Sequence, residues 1–151
     1  MDKKEIQDIT REYFKSIGFQ TFKKTKFYYE SKDLVIQVWM NHSNFSNLYY
    51  IDYYFRIKAL HPEIESILND DIWDTLGGRL GYDSDKCFVI EYNLWTKERY
   101  LADLSKIVKK SIIPIMKEGI SYIKKLAKDY KSVGAWIVFR EDMRNNILEL
   151  K

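Results

Sequence analysis

The sequence predicts an α+β fold: a single domain in which about five mainly antiparallel strands between Phe19 and Tyr92 pack one face against an N-terminal helix and a long C-terminal helix. Three observations carry that expectation. Apolar residues recur at helical spacing at both ends of the chain, whereas between them the period falls to two and polar turn signals separate short runs. Four Trp, twelve Tyr and eight Phe make up 16% of the 151 residues, so stiff, amphipathic rings that favour strands fill much of the core. A chain of this length supports one hydrophobic core and not two.

Residues 2 to 17 read as helix. Asp2 and Glu5 have the spacing of a capping box, Ile6, Ile9, Tyr13 and Ile17 follow at helical spacing, and Gly18 stops the run. From Phe19 to Tyr29 the period is two, with Phe22, Lys24, Lys26 and Tyr28 on one side, which reads as one strand whose lysines guard an edge. After Ser31-Lys32-Asp33, a second strand alternates Leu34, Ile36, Val38 and Met40 with Val35, Gln37, Trp39 and Asn41. The third, residues 48 to 59, alternates most clearly. Tyr49, Ile51, Tyr53, Phe55 and Ile57 form a core face, and Tyr50, Asp52, Tyr54, Arg56 and Lys58 form a face that is wet or binds something. His61-Pro62-Glu63 opens a short helix with Ile64, Ile67 and Leu68 on its inner side. Gly77, Gly78 and Gly81 loosen a weak strand around Arg79-Leu80, and Phe88, Ile90 and Tyr92 alternate with Cys87, Val89 and Glu91 in a firm one.

Residues 98 to 131 read as one long helix. At about 100° per residue, Leu101, Leu104, Val108, Ile112, Ile115, Tyr122, Leu126 and Tyr130 share a stripe ~80° wide that crosses Pro114 in phase, so the proline kinks the helix without ending it. Ser132 then caps a final helix through Trp136, Phe139, Met143, Ile147 and Leu150, although Ala135, Ile137 and Phe139 also suit a short strand.

Hydrophobic residues at 46% and charged residues at 31% exclude disorder, a collagen repeat and a disulfide scaffold. The single Cys87, beside Phe88, Val89 and Ile90, reads as a small buried hydrophobe and suits a reducing, cytoplasmic compartment. Glu5, Gln7, Asp8 and Arg11 stand where a secretory signal needs an apolar stretch, and apolar runs such as Ile112 to Met116 are far shorter than the ~20 residues that span a bilayer. No membrane partner is expected.

Gly18-Phe19 at the end of the opening helix, Phe27-Tyr28 and Leu34-Val35-Ile36-Gln37-Val38 together resemble a bacterial family, domain of unknown function family 4304. Phe45, Trp73 and Gly78-Arg79-Leu80 ahead of a long C-terminal helix are similar to the same family, and the resemblance covers roughly residues 1 to 130. It brings no activity, cofactor or site residue with it.

No catalytic, metal or cofactor site is expected. His42 and His61 match no ligand pair on one element, and each reads as a polar loop or capping residue. Asp70, Asp71 and Asp74 read as a solvated turn in preference to a divalent-metal site. Gly77-Gly78-Arg79-Leu80-Gly81 lacks the Lys-Ser/Thr of a phosphate loop and reads as a turn or bulge. Lys106, Lys110, Lys117, Lys124, Lys128 and Lys131 share a stripe ~60° wide opposite the apolar one. Residues 97 to 131 hold ten Lys or Arg against four Asp or Glu, and residues 52 to 85 hold three against eight, so charge is segregated although the net charge is only +3.

The candidate partner-binding residues are therefore Lys106, Lys110, Lys117, Lys124 and Lys128 together with Tyr50 and Tyr54. A non-enzymatic protein-interaction module of the immunity or antitoxin kind is the leading reading, because Tyr, Trp and Arg are interface residues and no catalytic set is needed. A nucleic-acid-binding protein using the lysine stripe and stacking bases on tyrosines is the alternative, against which the small net charge and the acidic middle weigh. An enzyme ranks third, since no pair among its Asp, Glu, Tyr and Lys side chains stands at a defined spacing.

Overall fold

The computed structural model describes residues 1–63, 73–76, 78–83, 86–129 and 138–151. Helix α1, Lys3–Ser16, begins as expected: Asp2 accepts from the Glu5 backbone, Glu5 accepts from the Asp2 backbone, and Gly18 adopts φ +106° just after the helix. The chain then diverges from its sequence pattern. Residues 19 to 29 are not one strand but a hairpin of β1, Gln20–Lys23, and β2, Lys26–Glu30, turned at Lys24-Thr25. The register pairs Lys23 with Lys26 beside the turn, then shifts between Thr21 and Lys23 to pair Thr21 with Phe27 and Gln20 with Tyr28, so like parity is restored away from the turn by an irregularity in β1.

β3, Leu34–His42, and β4, Leu48–Ile57, form the centre of an antiparallel sheet that begins in the order β1-β2-β3-β4. The far side of β4 is paired by two short strands, β6, Gly78–Arg79, opposite Asp52 and Tyr53, and β7, Ile90–Glu91, opposite Leu48 and Tyr49. The strand expected over Cys87 to Tyr92 is thus reduced to two residues and a bridge between Gly81 and Cys87. Cys87 is consequently half-buried at the sheet margin, not buried within it, and burial pushes its thiol up. β5, Thr75–Leu76, pairs instead with β8, Val138–Phe139, in a separate two-stranded sheet. Strand therefore prevails at Phe139, and helix α5, Glu141–Leu148, begins after it. The helix expected after Pro62 and the cap expected at Ser132 lie outside the described residues; up to Leu60 the chain forms a short turn of 3-10 helix.

One face of the sheet carries the core. Opposed pairs Leu34–Ile57, Ile36–Phe55, Val38–Tyr53 and Met40–Ile51 are buried together, joined by Phe27 from β2. Phe14 of α1 stacks on Phe27, with centroids 5.5 Å apart, and meets Phe19 edge-on at 5.1 Å. The C-terminal helical region is broken twice: α2, Lys97–Ser111, α3, Ile113–Glu118, and α4, Ile120–Lys128. Pro114 accounts for the first break, and Gly119, at φ +60° and ψ −133°, makes the second, a conformation that side chains with a Cβ rarely adopt. The long helix expected from the stripe is corrected accordingly. Beyond Gly119 the phase slips, so Ile123, Leu126 and Ala127 are buried while Tyr122 is only half-buried.

Hydrogen bonds tie α1 to its neighbours through buried polar side chains. Thr10 donates to the Ile6 carbonyl at 2.6 Å, which leaves Tyr100 to donate to Thr10 at 2.7 Å, and Gln7 donates to the Tyr49 hydroxyl at 2.6 Å. Burial raises the Tyr53 and Tyr100 phenols. Tyr82 is pushed up to about 12 by burial first and by its hydrogen bond to Asp103. A phenol whose folded value is raised favours folding while it is neutral; the contribution is complete below the ordinary value of 10.0 and is lost as pH rises toward the folded one. Stability is therefore expected to fall between about pH 10 and 12, and Tyr82→Phe to lose less of it there than the parent chain. Denaturant melts across that interval check this; an identical decline in both proteins would refute it.

Candidate functional site

The second face of the sheet is built by the positions that alternate with the core. In register across β2, β3 and β4 run the rows Glu30–Val35–Arg56, Tyr28–Gln37–Tyr54 and Lys26–Trp39–Asp52, and Asp52 continues to Arg79 on β6. Antiparallel partners point to the same side, so these side chains share one surface. The alternation of β4 predicts a wet or binding face, and the structure corrects half of that. Val35, Gln37, Asp52 and Arg56 are buried, whereas Tyr28, Trp39, Tyr50 and Tyr54 are half-buried. The face is closed around Val35 and Arg56 and open around Trp39, Tyr50 and Tyr54.

Charge on this face is organised around Asp52. Arg79 grips it with two bonds, Nε to Oδ1 at 2.7 Å and Nη2 to Oδ2 at 3.2 Å, and Asn41 donates to Oδ2 at 2.6 Å. The hydrogen bond to Asp52 holds Arg79 above its ordinary range. Its guanidinium also lies 4.5 Å from the Tyr50 ring centroid, Lys26 Nζ lies 3.7 Å over Trp39, and Arg56 lies 5.5 Å over Trp73. Trp39 packs 4.8 Å from Tyr54, and Trp73 lies 6.4 Å from the same ring on its way into β5. Burial, and then Asp52, pushes the Tyr54 phenol up against the opposing charge of Arg79.

Within this packed array several hydrogen-bonding atoms find no partner. Both amide atoms of the fully buried Gln37, Nε1 of Trp39 and Nε1 of Trp73 are buried and unpaired. Gln37 lies opposite Tyr54 in register, and the rings of Trp39 and Trp73 both lie near that tyrosine.

Trp73 is held in place from behind. Asp74, fully buried, accepts from the Ile57 backbone at 2.6 Å and meets His61 Nε2 at 2.6 Å; its own backbone N–H donates to the Phe55 carbonyl and its carbonyl accepts from Arg140. Burial raises the Asp74 carboxyl, opposed by those bonds and by Arg140. Both sequence readings change here: Asp74 is not part of a solvated turn, and His61 is a buried partner and not a polar loop residue, because each removes the other's desolvation cost. Asp70 and Asp71 lie outside the described residues, among which no three His, Cys, Asp or Glu side chains gather as a metal site. His42 lies 3.2 Å from the Tyr92 hydroxyl, and burial, then Lys3, holds its imidazole below the usual range.

Of the expected partner-binding residues, Tyr50 and Tyr54 stand together on the open end of this face. The lysines do not lie on one helix. Lys106 and Lys110 are on α2, Lys117 on α3, and Lys124 and Lys128 on α4, with the break at Gly119 between the last two groups. Lys110 donates to the Tyr82 carbonyl at 3.2 Å, Lys124 is half-buried, and Lys106, Lys117 and Lys128 are exposed; Lys131 lies outside the described residues. Sequence reasoning passed over Gln37, Trp39, Trp73 and Arg79. The available signal was the lone Gln37 within an otherwise apolar stretch of β3. A concavity of about 470 Å³ between α1 and α2 is lined by Ile9, Tyr13 and Leu101 with Asp8 and Glu12 at its margin. Those acids pair within α1 with Arg11 and Lys15. No helix among the described residues is long and apolar enough to cross a membrane. Comparison with family models, with curated proteins and with solved structures finds no match.

Proposed function

We propose that the chain is a non-enzymatic protein-interaction module of the immunity or antitoxin kind, acting in the cytoplasm, that grips a protein partner with the open end of its second sheet face. The observation that carries this reading is the set of half-buried rings there, Trp39, Tyr50 and Tyr54, two of them capped by cations and all mounted on the two central strands. Trp, Tyr and Arg dominate binding energy when they are presented rigidly, since little side-chain entropy remains to be lost. The Asp52–Arg79 fork supplies that rigidity. The C-terminal lysines serve a different purpose: exposed cations raise the rate of encounter with an acidic partner more than the final affinity.

The test uses the product of the adjacent gene as partner. Calorimetry is expected to show that Trp39→Ala and Tyr54→Ala each lose about 2 kcal/mol or more of binding. Replacing Lys110, Lys117 and Lys124 together with Gln is expected to slow association chiefly. In parallel, short single- and double-stranded nucleic acids at ~150 mM salt are expected to bind no more tightly than the micromolar range of non-specific contacts. Nanomolar, sequence-dependent nucleic-acid binding lost in the triple lysine variant would overturn the reading and put the nucleic-acid function in its place.

A further inference from the structure

We infer that the groove between α1 and α2 is the interface at which a second copy of this chain packs, through a two-fold rotation that lays α1 of each copy against α2 of the other. This goes beyond the protein-interaction reading and lies on the helical layer, away from the second sheet face. The groove, about 470 Å³ in volume, has an apolar floor of Ile9, Tyr13 and Leu101, each half-buried. Its two walls differ in sign: Asp8 and Glu12 line it from α1, and Lys97 lines it from α2. Arg11 and Lys15, which pair with those acids, are outside the lining, and exposed pairs of this kind within one helix contribute little and exchange readily. Lys97 is exposed and has no ion-pair partner among the described residues.

Opposite signs on the two walls select the occupant. A uniformly basic partner meets Lys97 with like charge, and a uniformly acidic one meets Asp8 and Glu12 in the same way. An uncharged partner desolvates all three without pairing any. The occupant that fits carries the reverse order of charge on either side of an apolar strip. A second copy supplies it, because rotation about an axis along the groove sets the acidic wall of each copy over the basic wall of the other. The levels agree as well. The Met1 nitrogen donates to the Tyr92 and Trp95 carbonyls just ahead of α2, and Thr10 of α1 meets Tyr100 of α2 at 2.7 Å, so the two helices start at the same end and run the same way. Asp8, shortly before Thr10, therefore stands level with Lys97, shortly before Tyr100. An axis along the groove preserves that level, so the Asp8 and Lys97 of different copies face one another twice in the dimer. Between these pairs Ile9, Tyr13 and Leu101 of both copies form the centre of a four-helix arrangement and leave water together.

Analytical ultracentrifugation of the full chain, from about 1 μM to about 1 mM, tests this. A reversible equilibrium between monomer and dimer is expected, half-complete in the micromolar range and weakened by added salt. Asp8→Lys with Glu12→Lys in one chain, and Lys97→Glu in another, are each expected to weaken self-association at least about tenfold. Mixing these two variants is expected to restore a one-to-one dimer, because only the mixed pair sets opposite charges across both walls. Recovery on mixing requires contact between copies, whereas charges that pair across the groove within one chain gain nothing from it. It also shows that both variants are folded. A parent chain that stays monomeric at about 1 mM would overturn the inference, as would undiminished self-association of either variant or a mixture that stays monomeric.

Discussion

Phe55→Ala is expected to cost about 3–5 kcal/mol, a large part of the ~5–15 kcal/mol by which a domain of this kind is stable. Phe55 is fully buried near the C-terminal end of β4, opposite Ile36, with Phe139 edge-on at 5.8 Å from the far end of the chain. The backbone on both sides is tied, its N–H to Thr75 and its carbonyl to Asp74, so the strand does not collapse into the space the ring vacates and the cavity term adds to the lost transfer energy. The neighbouring Arg56 is the internal control. Alternation alone predicts a small cost for Arg56→Ala, but the side chain is buried and stacked on Trp73, so about 1–3 kcal/mol is expected from lost packing and desolvated neighbours. Urea melts of both variants decide it. If Arg56→Ala proved the more damaging, the core would lie on the opposite face of β4.

The pair also shows which parts of the fold the sequence carries locally. The capping box of α1, the alternation of β3 and β4 and the burial of their core face are legible because each depends on residues a few positions apart. Burial of the second face is not, because what covers it arrives from far along the chain: Trp73 over Arg56 and Arg79 against Asp52. Asp74 and His61 are misread for the same reason. A lone Asp and a lone His each suggest water, and only their meeting 2.6 Å apart makes burial tolerable. The hairpin at Lys24-Thr25 is hidden from periodicity because the register shift between Thr21 and Lys23 restores like parity in the pairs beyond it. Gly119 hides differently: stepping at about 100° per residue assumes an unbroken helix, and the breaks at Pro114 and Gly119 distribute the expected lysine stripe over three helices. Alternation places Tyr50 and Tyr54 on the second face of β4, whereas the complete burial of Gln37 on that face depends on its surroundings and has no sequence signature.

Asp74→Ala is expected to be as damaging as the loss of a core ring, at about 3–5 kcal/mol, although the residue is acidic. Both carboxylate oxygens are committed, Oδ2 to the Ile57 N–H and Oδ1 to His61, and no part of the side chain is exposed. Alanine strands a backbone donor at the end of β4 and an imidazole in the interior, and neither is able to recruit water without opening the structure. Asp74→Asn preserves the shape and one acceptor, so it is expected to recover part of the loss, while the exposed Asp33→Ala serves as a control whose cost stays within about 0.5 kcal/mol. A double-mutant cycle with His61→Ala isolates the pair, with a coupling of about 1 kcal/mol or more expected; additivity would show that the two residues act separately. The consequence reaches the site, because the residues on either side of Asp74 are Trp73, which walls the second face, and Thr75, which bonds the Phe55 N–H. Loosening Asp74 therefore releases Trp73 from Tyr54, and tryptophan emission from Asp74→Asn under folding conditions is expected to shift to the red while Asp33→Ala leaves it unchanged.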